Sequence, residues 1–251
     1  MSPSKQGSEA AQDGDLRIEL DNGPHCANCT YWFGAYEQVE TRLFCAELRS
    51  GMTVVDAAAN IGKYTLVAAN RLGPDGKVFA FEPVDSTREQ LERNVRLNGV
   101  QDRVEVLAYA LGAVEKGNQN RLLAEGGESL VNCSGEPPAG APAQQVQVTT
   151  LDRFLAERGI DRVDVLKLGT EGFELDILRG ARELLARCHP ILLLELVDSH
   201  LQRCGQSLAE LREFLLEMGY CQAAFVDRGL RPSDELCPQP EGNGLYKAAG
   251  K

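Results

Sequence analysis

The sequence predicts an α/β protein built on a doubly wound, mostly parallel sheet with helices on both faces, and three observations carry that prediction. Short apolar runs alternate with stretches of helical period through most of the chain. The run Ile191-Leu192-Leu193-Leu194 is apolar without alternation, the pattern of a central parallel strand buried on both sides. Two further runs, Thr53–Asp56 and Val78–Phe81 followed by Glu82, each close on an acid, with a small-residue turn and a helical pattern between them. That is a β-α-β unit with an acid at the tip of its second strand, a layout for gripping a nucleoside.

Each element has its own local signal. After Thr53–Asp56, the turn Ala57–Gly62 opens the helix Tyr64–Leu72, and Gly73-Pro74-Asp75-Gly76 ends it. The strand Lys77–Phe81 leads to the helix Ser86–Leu97, whose Leu91 and Val95 share a face and which Asn98-Gly99 stops. The strand Arg103–Leu107 runs into Ala108-Tyr109-Ala110-Leu111-Gly112. Residues 113–145 break the rhythm with Gly126-Gly127, Pro137-Pro138 and Gly140, and read as a loop insertion: a hairpin or flap over the site, or a plain surface excursion. The rhythm resumes with strand Gln145–Val148, helix Leu151–Arg158, strand Val163–Leu168 and one helix over Glu174–Arg187. Ser207 with Glu210 three residues on is a capping box for the helix Leu208–Met218, which Gly219 closes, and residues 221–226 make a last short strand.

Before this core, residues 1–24 are polar and aperiodic and read as a disordered tail. Residues 25–50 hold an aromatic cluster (Tyr31, Trp32, Phe33, Tyr36) and an N-terminal helical stretch, either a cap leaning over the site or a helix packed on the sheet. The core then spans 51–226, and 227–251 is set aside as a C-terminal tail.

Composition narrows the function. With 251 residues and 43% hydrophobic content the chain can bury one full α/β core. A formal net charge of -11 argues against nucleic acid as a partner, because a phosphate backbone would be repelled. No apolar run reaches the roughly 18 residues that span a membrane, and the polar N-terminus has no signal-peptide core, so the cytoplasm is the expected location. Of the eight cysteines only Cys26 and Cys29 stand at a ligand-like spacing, beside His25. No second Cys-x-x-Cys closes a tetrahedral site, so ordinary thiols in a reducing compartment, and no metal site, are expected. An apolar patch on the N-terminal helix is compatible with a homodimer, and nothing in the sequence demands one.

From about Tyr36 to Tyr220, three quarters of the chain, the sequence resembles the FkbM family of S-adenosylmethionine-dependent methyltransferases. The matching pieces are Val55-Asp56-x-x-Ala59-Asn60-Ile61-Gly62, Phe81-Glu82-Pro83, Asn94-x-x-Leu97-Asn98-Gly99, Ala110-Leu111-Gly112, Val148-Thr149-Thr150-Leu151-Asp152, Leu166-Lys167-Leu168-x-x-Glu171-Gly172-Phe173-Glu174 and Leu178-Arg179-Gly180-Ala181. Their order and spacing carry the match more than any one of them. A dinucleotide site would need Gly-x-Gly-x-x-Gly, and only Gly62 of such a set is present.

The resemblance implies a class I, Rossmann-like methyltransferase fold and S-adenosyl-L-methionine as cofactor. It places Asp56 near the cofactor's amino acid moiety, and Ala58, Asn60 and Gly62 in the turn that supplies backbone contacts. Glu82 would take the ribose hydroxyls, and Tyr109 and Ala110 would lie at the adenine edge, with Tyr109 either a stacking wall or a core tyrosine. Glu171 and Glu195 are the candidate catalytic acids, His200 is a weaker candidate base, and Lys167 reads as a structural or cofactor-adjacent residue. Two positions depart from the family pattern: Ala58, where glycine is usual, and Gly169, where an aspartate is usual. The expected function is therefore O-methylation of a hydroxyl on a small molecule, a natural product or a sugar, with altered or reduced catalysis. The alternative is a cofactor-binding, non-methylating scaffold or regulatory protein of the same fold.

Overall fold

In the computed structural model of the chain, the described residues are 8–11, 14–19, 38–122, 143–227, 232–233 and 242–249. The Cys26–Cys29 pair with His25, the aromatic cluster from Tyr31 to Tyr36, and the Gly126-Gly127 and Pro137-Pro138 pairs lie outside them. Strands β1 (Ser8–Ala11) and β2 (Gly14–Arg17) form a small antiparallel ladder. Helix α1 (Gln38–Glu47) precedes β3 (Thr53–Ala57), α2 (Lys63–Leu72), β4 (Lys77–Phe81), α3 (Asp85–Leu97) and β5 (Val104–Leu107). Strands β6 (Tyr109–Leu111), β7 (Gly117–Leu122) and β8 (Ala143–Thr149) form a separate three-stranded sheet in the order β6-β8-β7. Then come α4 (Leu151–Arg158), β9 (Val165–Leu168), α5 (Glu174–Arg179), α6 (Arg182–Cys188), β10 (Ile191–Leu196), α7 (Asp198–Arg203), α8 (Leu208–Glu217), β11 (Tyr220–Asp227), β12 (Pro232–Ser233) and β13 (Gly242–Ala248).

The main sheet runs β12-β11-β13-β10-β9-β3-β4-β5. Strands β10, β9, β3, β4 and β5 are mutually parallel, and β13 enters antiparallel to both β10 and β11. Alternating side chains of these strands feed two cores, because successive residues of a strand point to opposite faces. Val54, Val78, Val165 and Leu193 pack with Phe44, Leu66, Leu72 and Leu91 from α1, α2 and α3. Val55, Phe79, Leu166 and Leu192 pack with Leu151, Phe154, Leu178, Leu211 and Phe214 from the later helices. The sheet is thus wound on both faces, and its central strands have no wet side.

Caps fix the helix starts where the sequence places them. Thr150 Oγ1 accepts the Arg153 N–H at the start of α4, and Ser207 Oγ accepts the Glu210 N–H at 3.3 Å at the start of α8, donating back to the Glu210 carboxylate at 2.9 Å.

Three features differ from the sequence reading. The single helix expected over Glu174–Arg187 is two helices, broken at Gly180, where a Cβ would run into the backbone carbonyl of Gly112. The chain must pass too close there for any side chain, and Asp152 caps the restarted helix by accepting the N–H groups of Glu183 and Leu184, each at 2.9 Å. Within the stretch set aside as a C-terminal tail, Gly242–Ala248 is a full strand inside the sheet. Within the stretch set aside as an N-terminal tail, Ile18 is buried, and the Arg17 and Glu19 N–H groups are donated to Asn98 and Asn94 of α3. Among the described residues of 113–145, Gly117–Leu122 form β7, which pairs antiparallel with β8. Among the described residues no helix is long and apolar enough to cross a membrane.

Candidate functional site

A cavity of about 310 Å³ opens at the carboxyl ends of β3, β4, β9 and β10. It spans the point where the sheet order reverses, with β3, β4 and β5 running one way from it and β9 and β10 the other, the usual ligand crevice of an open α/β sheet. One side is lined by Ala58, Asn60, Lys63 and Tyr64 from β3 and α2 and by Glu82 and Pro83 after β4. Tyr109, Ala110, Gly112 and Val148 of the small sheet close the next wall. Lys167, Gly169, Thr170 and Glu171 from β9 and its loop, Glu195 from β10 and Asn243 from β13 form the remainder.

Glu82 is buried and faces this space. Its Oε2 accepts the Asn60 N–H at 2.9 Å and its Oε1 the Val84 N–H at 3.0 Å. Burial outweighs those two bonds and lifts its carboxyl to about 7, while the Lys167 ammonium pulls the other way. Each oxygen retains acceptor capacity beyond its backbone partner.

Beneath the cavity floor, Asp56 is fully buried. It stands in register with Lys167 on the neighbouring strand, and its Oδ1 lies 3.3 Å from Lys167 Nζ while its Oδ2 accepts the Thr65 hydroxyl at 2.6 Å. The lysine also donates to the Ala58 carbonyl at 3.2 Å and sits 5.1 Å from the Tyr64 ring centre.

The loop after β9 is set by a second buried acid. Glu174 Oε1 accepts both the N–H and the hydroxyl of Thr170, at 2.8 and 2.9 Å, and Oε2 accepts the Gly172 N–H at 2.9 Å. Burial raises its carboxyl above the ordinary range. Between these anchors Glu171 takes a left-handed backbone, φ 51°, and is exposed on the cavity wall. Non-glycine residues at positive φ are uncommon, and three of the four among the described residues, Ala58, Asn60 and Glu171, line this cavity.

Of the residues singled out from sequence, Ala58, Asn60, Glu82, Tyr109, Ala110, Glu171 and Glu195 line this one cavity. Tyr109 does so while its ring packs against Phe154, 6.5 Å between centres. Asp56 and Gly62 do not line the cavity. Asp56 reaches it through Lys167. Gly62 is required by a φ of 104° and by Leu91, whose Cδ1 would lie 2.6 Å from a Cβ. His200 is in the short helix α7, and its carbonyl backs onto Gly172. Sequence reasoning missed Lys63, Lys116, Asn243 and the anchoring role of Glu174. Only Glu174 left a trace there, as the last residue of the Glu171-Gly172-Phe173-Glu174 motif. Among the described residues no cluster of three or more His, Cys, Asp or Glu side chains could hold a metal ion.

A parallel sheet of this order, with the antiparallel strand β13 inserted between β10 and β11 and an acid at the second strand tip, defines the class I methyltransferase fold. Within that class the chain belongs to the FkbM methyltransferase family, whose domain matches residues 56–221. It is 30% identical over 165 residues to methyltransferase sdnD of Sordaria araneosa, covering 55% of this chain and 63% of that protein. It is 27% identical over 212 residues to the AMB antimetabolite synthetase AmbE of Pseudomonas aeruginosa, covering 68% of this chain and 10% of that one. The chain therefore spans less than two thirds of either relative. Its fold is similar to that of the crystal structure of methyltransferase FkbM from Methylobacillus flagellatus KT, with a TM-score of 0.52, 16% identity, 83% of this chain and 50% of that chain covered.

The cofactor of this class is S-adenosyl-L-methionine, and the donor set fits it. Glu82 is a buried acceptor with spare lone pairs, suited to vicinal ribose hydroxyls, and the turn ahead of it presents backbone. The N-terminus of α2 favours a carboxylate.

Proposed function

We propose that the chain transfers a methyl group from S-adenosyl-L-methionine to a hydroxyl oxygen of a small molecule, a natural product or a sugar. The observation that carries this reading is one cavity lined both by Glu82, which follows β4, and by Glu171 and Glu195, which belong to the β9 loop and β10 on the other side of β3. The β4 and β10 tips are three strand spacings apart, about 14 Å, so a nucleoside and an acceptor have separate footholds. The net charge of -11 favours a small acceptor over a polyanionic one.

Bound there, the cofactor supplies an electrophilic methyl on a sulfonium centre. The chain's residues would do the rest: Glu82 would accept from the ribose hydroxyls, and the wall from Tyr109 to Gly112 would cover the base. Glu195 or Glu171 would take the acceptor hydroxyl's proton as the oxygen–methyl bond forms and the methyl–sulfur bond breaks, leaving S-adenosylhomocysteine. Alignment of the reacting atoms accounts for much of the rate in such a displacement, so the site can work without the aspartate missing at Gly169. Ala58 at φ 54° carries a strain on the order of 1 kcal/mol, a cost the fold bears before any cofactor binds.

The test is calorimetric titration of S-adenosylmethionine and S-adenosylhomocysteine, together with transfer of labelled methyl to a panel of sugars, polyols and hydroxy acids. The chain is compared with Ala58→Gly and Gly169→Asp forms. Tight binding with hydroxyl transfer supports the reading. Tight binding without transfer in any form points to the non-methylating scaffold, and no binding in any form overturns the cofactor assignment.

A further inference from the structure

The turn after β3 packs two left-handed non-glycine residues, Ala58 at φ 54° and Asn60 at φ 52°, into three positions. Asn60 has its own means of support, since its side-chain Oδ1 accepts the Ile61 N–H at 2.7 Å, and asparagine tolerates this conformation locally. Ala58 has no such side chain. What its peptide has is the carbonyl bond to Lys167 Nζ at 3.2 Å. The next peptides are tied from the other side, with the Ala59 N–H given to the Phe81 carbonyl at 3.0 Å and the Asn60 N–H to Glu82 Oε2 at 2.9 Å. The turn is therefore held between a lysine of β9 and the β4 tip.

Lys167 is fixed for this task. Its side chain is only 12% exposed, and the buried Asp56 carboxylate on the adjacent strand holds its ammonium over the strand tip. Residue 169 lies beside it: a Cβ there would stand 3.0 Å from Nζ and 3.3 Å from Cε, so the lysine tip would have to give by a few tenths of an ångström.

Resting on the cofactor reading above, we propose that Lys167 is the positioning residue that holds the 58–60 turn in its cofactor-binding shape. Without that tie Ala58 relaxes toward ordinary negative φ, its peptide rotates, and the Asn60 N–H leaves Glu82. Lys167 and Ala58 then belong to one device: the ammonium's bond to the Ala58 carbonyl offsets the strain at 58.

The test is titration of S-adenosylhomocysteine into the wild-type chain, Lys167→Met, Gly169→Ala, and each of these variants combined with Ala58→Gly, with thermal melting alongside. Lys167→Met is expected to weaken binding about tenfold, the size of one lost charge-assisted hydrogen bond. Gly169→Ala is expected to weaken it by about threefold, as a crowded rather than a deleted bond. Adding Ala58→Gly, which reaches positive φ without strain, recovers most of either loss. Because Lys167→Met leaves Asp56 buried without its cation and can fail to fold, Gly169→Ala, which keeps that pair, carries the rescue test by itself. Unchanged affinity in Gly169→Ala, or a loss that Ala58→Gly leaves in full, overturns the inference while wild-type binding upholds the cofactor reading. No binding by the wild type overturns both.

Discussion

The Glu82 carboxylate reaches back across the β-α-β unit to the Asn60 backbone, Oε2 to N–H at 2.9 Å, so the acid at one strand tip shapes the turn at the other. Because burial lifts its carboxyl to about 7, Glu82 is partly protonated at neutral pH in the free protein. Its ordinary value is 4.5, so between about 4.5 and about 7 the folded chain holds a proton that the unfolded chain has lost. Its contribution to stability is complete below that window and is lost as pH rises through it.

Cofactor affinity should run the other way. Both ribose hydroxyls donate, so the ionised form is the better partner, and binding should strengthen roughly tenfold from pH 6 to pH 8. Calorimetry across that range checks this, with Glu82→Gln expected to bind weakly and with a flat profile. A wild-type profile as flat as the variant's would remove Glu82 from the ribose.

Glu174→Gln should destabilise the fold by roughly 2 kcal/mol, because an amide must turn one N–H₂ toward the donors of Thr170 or Gly172. Chemical denaturation measures the loss. Glu171 should lose its left-handed setting as well, which amide exchange of residues 170–173 would register. A variant as stable as the wild type, with the same exchange, would mean that the loop is held by packing alone.

Gly180→Ala separates steric from conformational cost. A methyl there meets the Gly112 backbone, which cannot swing aside, and should cost about 2–3 kcal/mol. Gly159→Ala is the control: its Cβ would enter open space but at φ 63°, for a cost of about 1 kcal/mol. Equal losses in urea melts would contradict the close approach as the cause of the helix break.

Glu195→Gln and Glu171→Gln together identify the acceptor's base. Loss of a general base costs about 10²–10⁴-fold in transfer rate, while cofactor affinity should move little because neither side chain is assigned to the nucleoside. Single-turnover methyl transfer from preloaded protein reads the difference. If both variants keep the wild-type rate, transfer proceeds by alignment alone.

What could be read from the sequence was what local chemistry fixes. The β3–α2–β4 unit, its two acids, the Ser207 cap and the apolar run Ile191–Leu194 of β10 follow from period, turn residues and capping patterns that neighbours in the chain enforce. Ala58 and Gly169 also stood out from sequence, as departures from a family pattern. Their relation did not, because it runs through Lys167, which meets Asp56 and the Ala58 carbonyl only once β9 lies in register beside β3. The helix break at Gly180 and the insertion of β13 between β10 and β11 were hidden for the same reason. A glycine forced by a distant carbonyl leaves no periodic signal, and an antiparallel partner is chosen by which sheet edge remains open. The sequence by itself determined the elements and the acids at their tips; which side chains share a cavity was decided by strand order and register, which are set by packing between segments far apart in the chain.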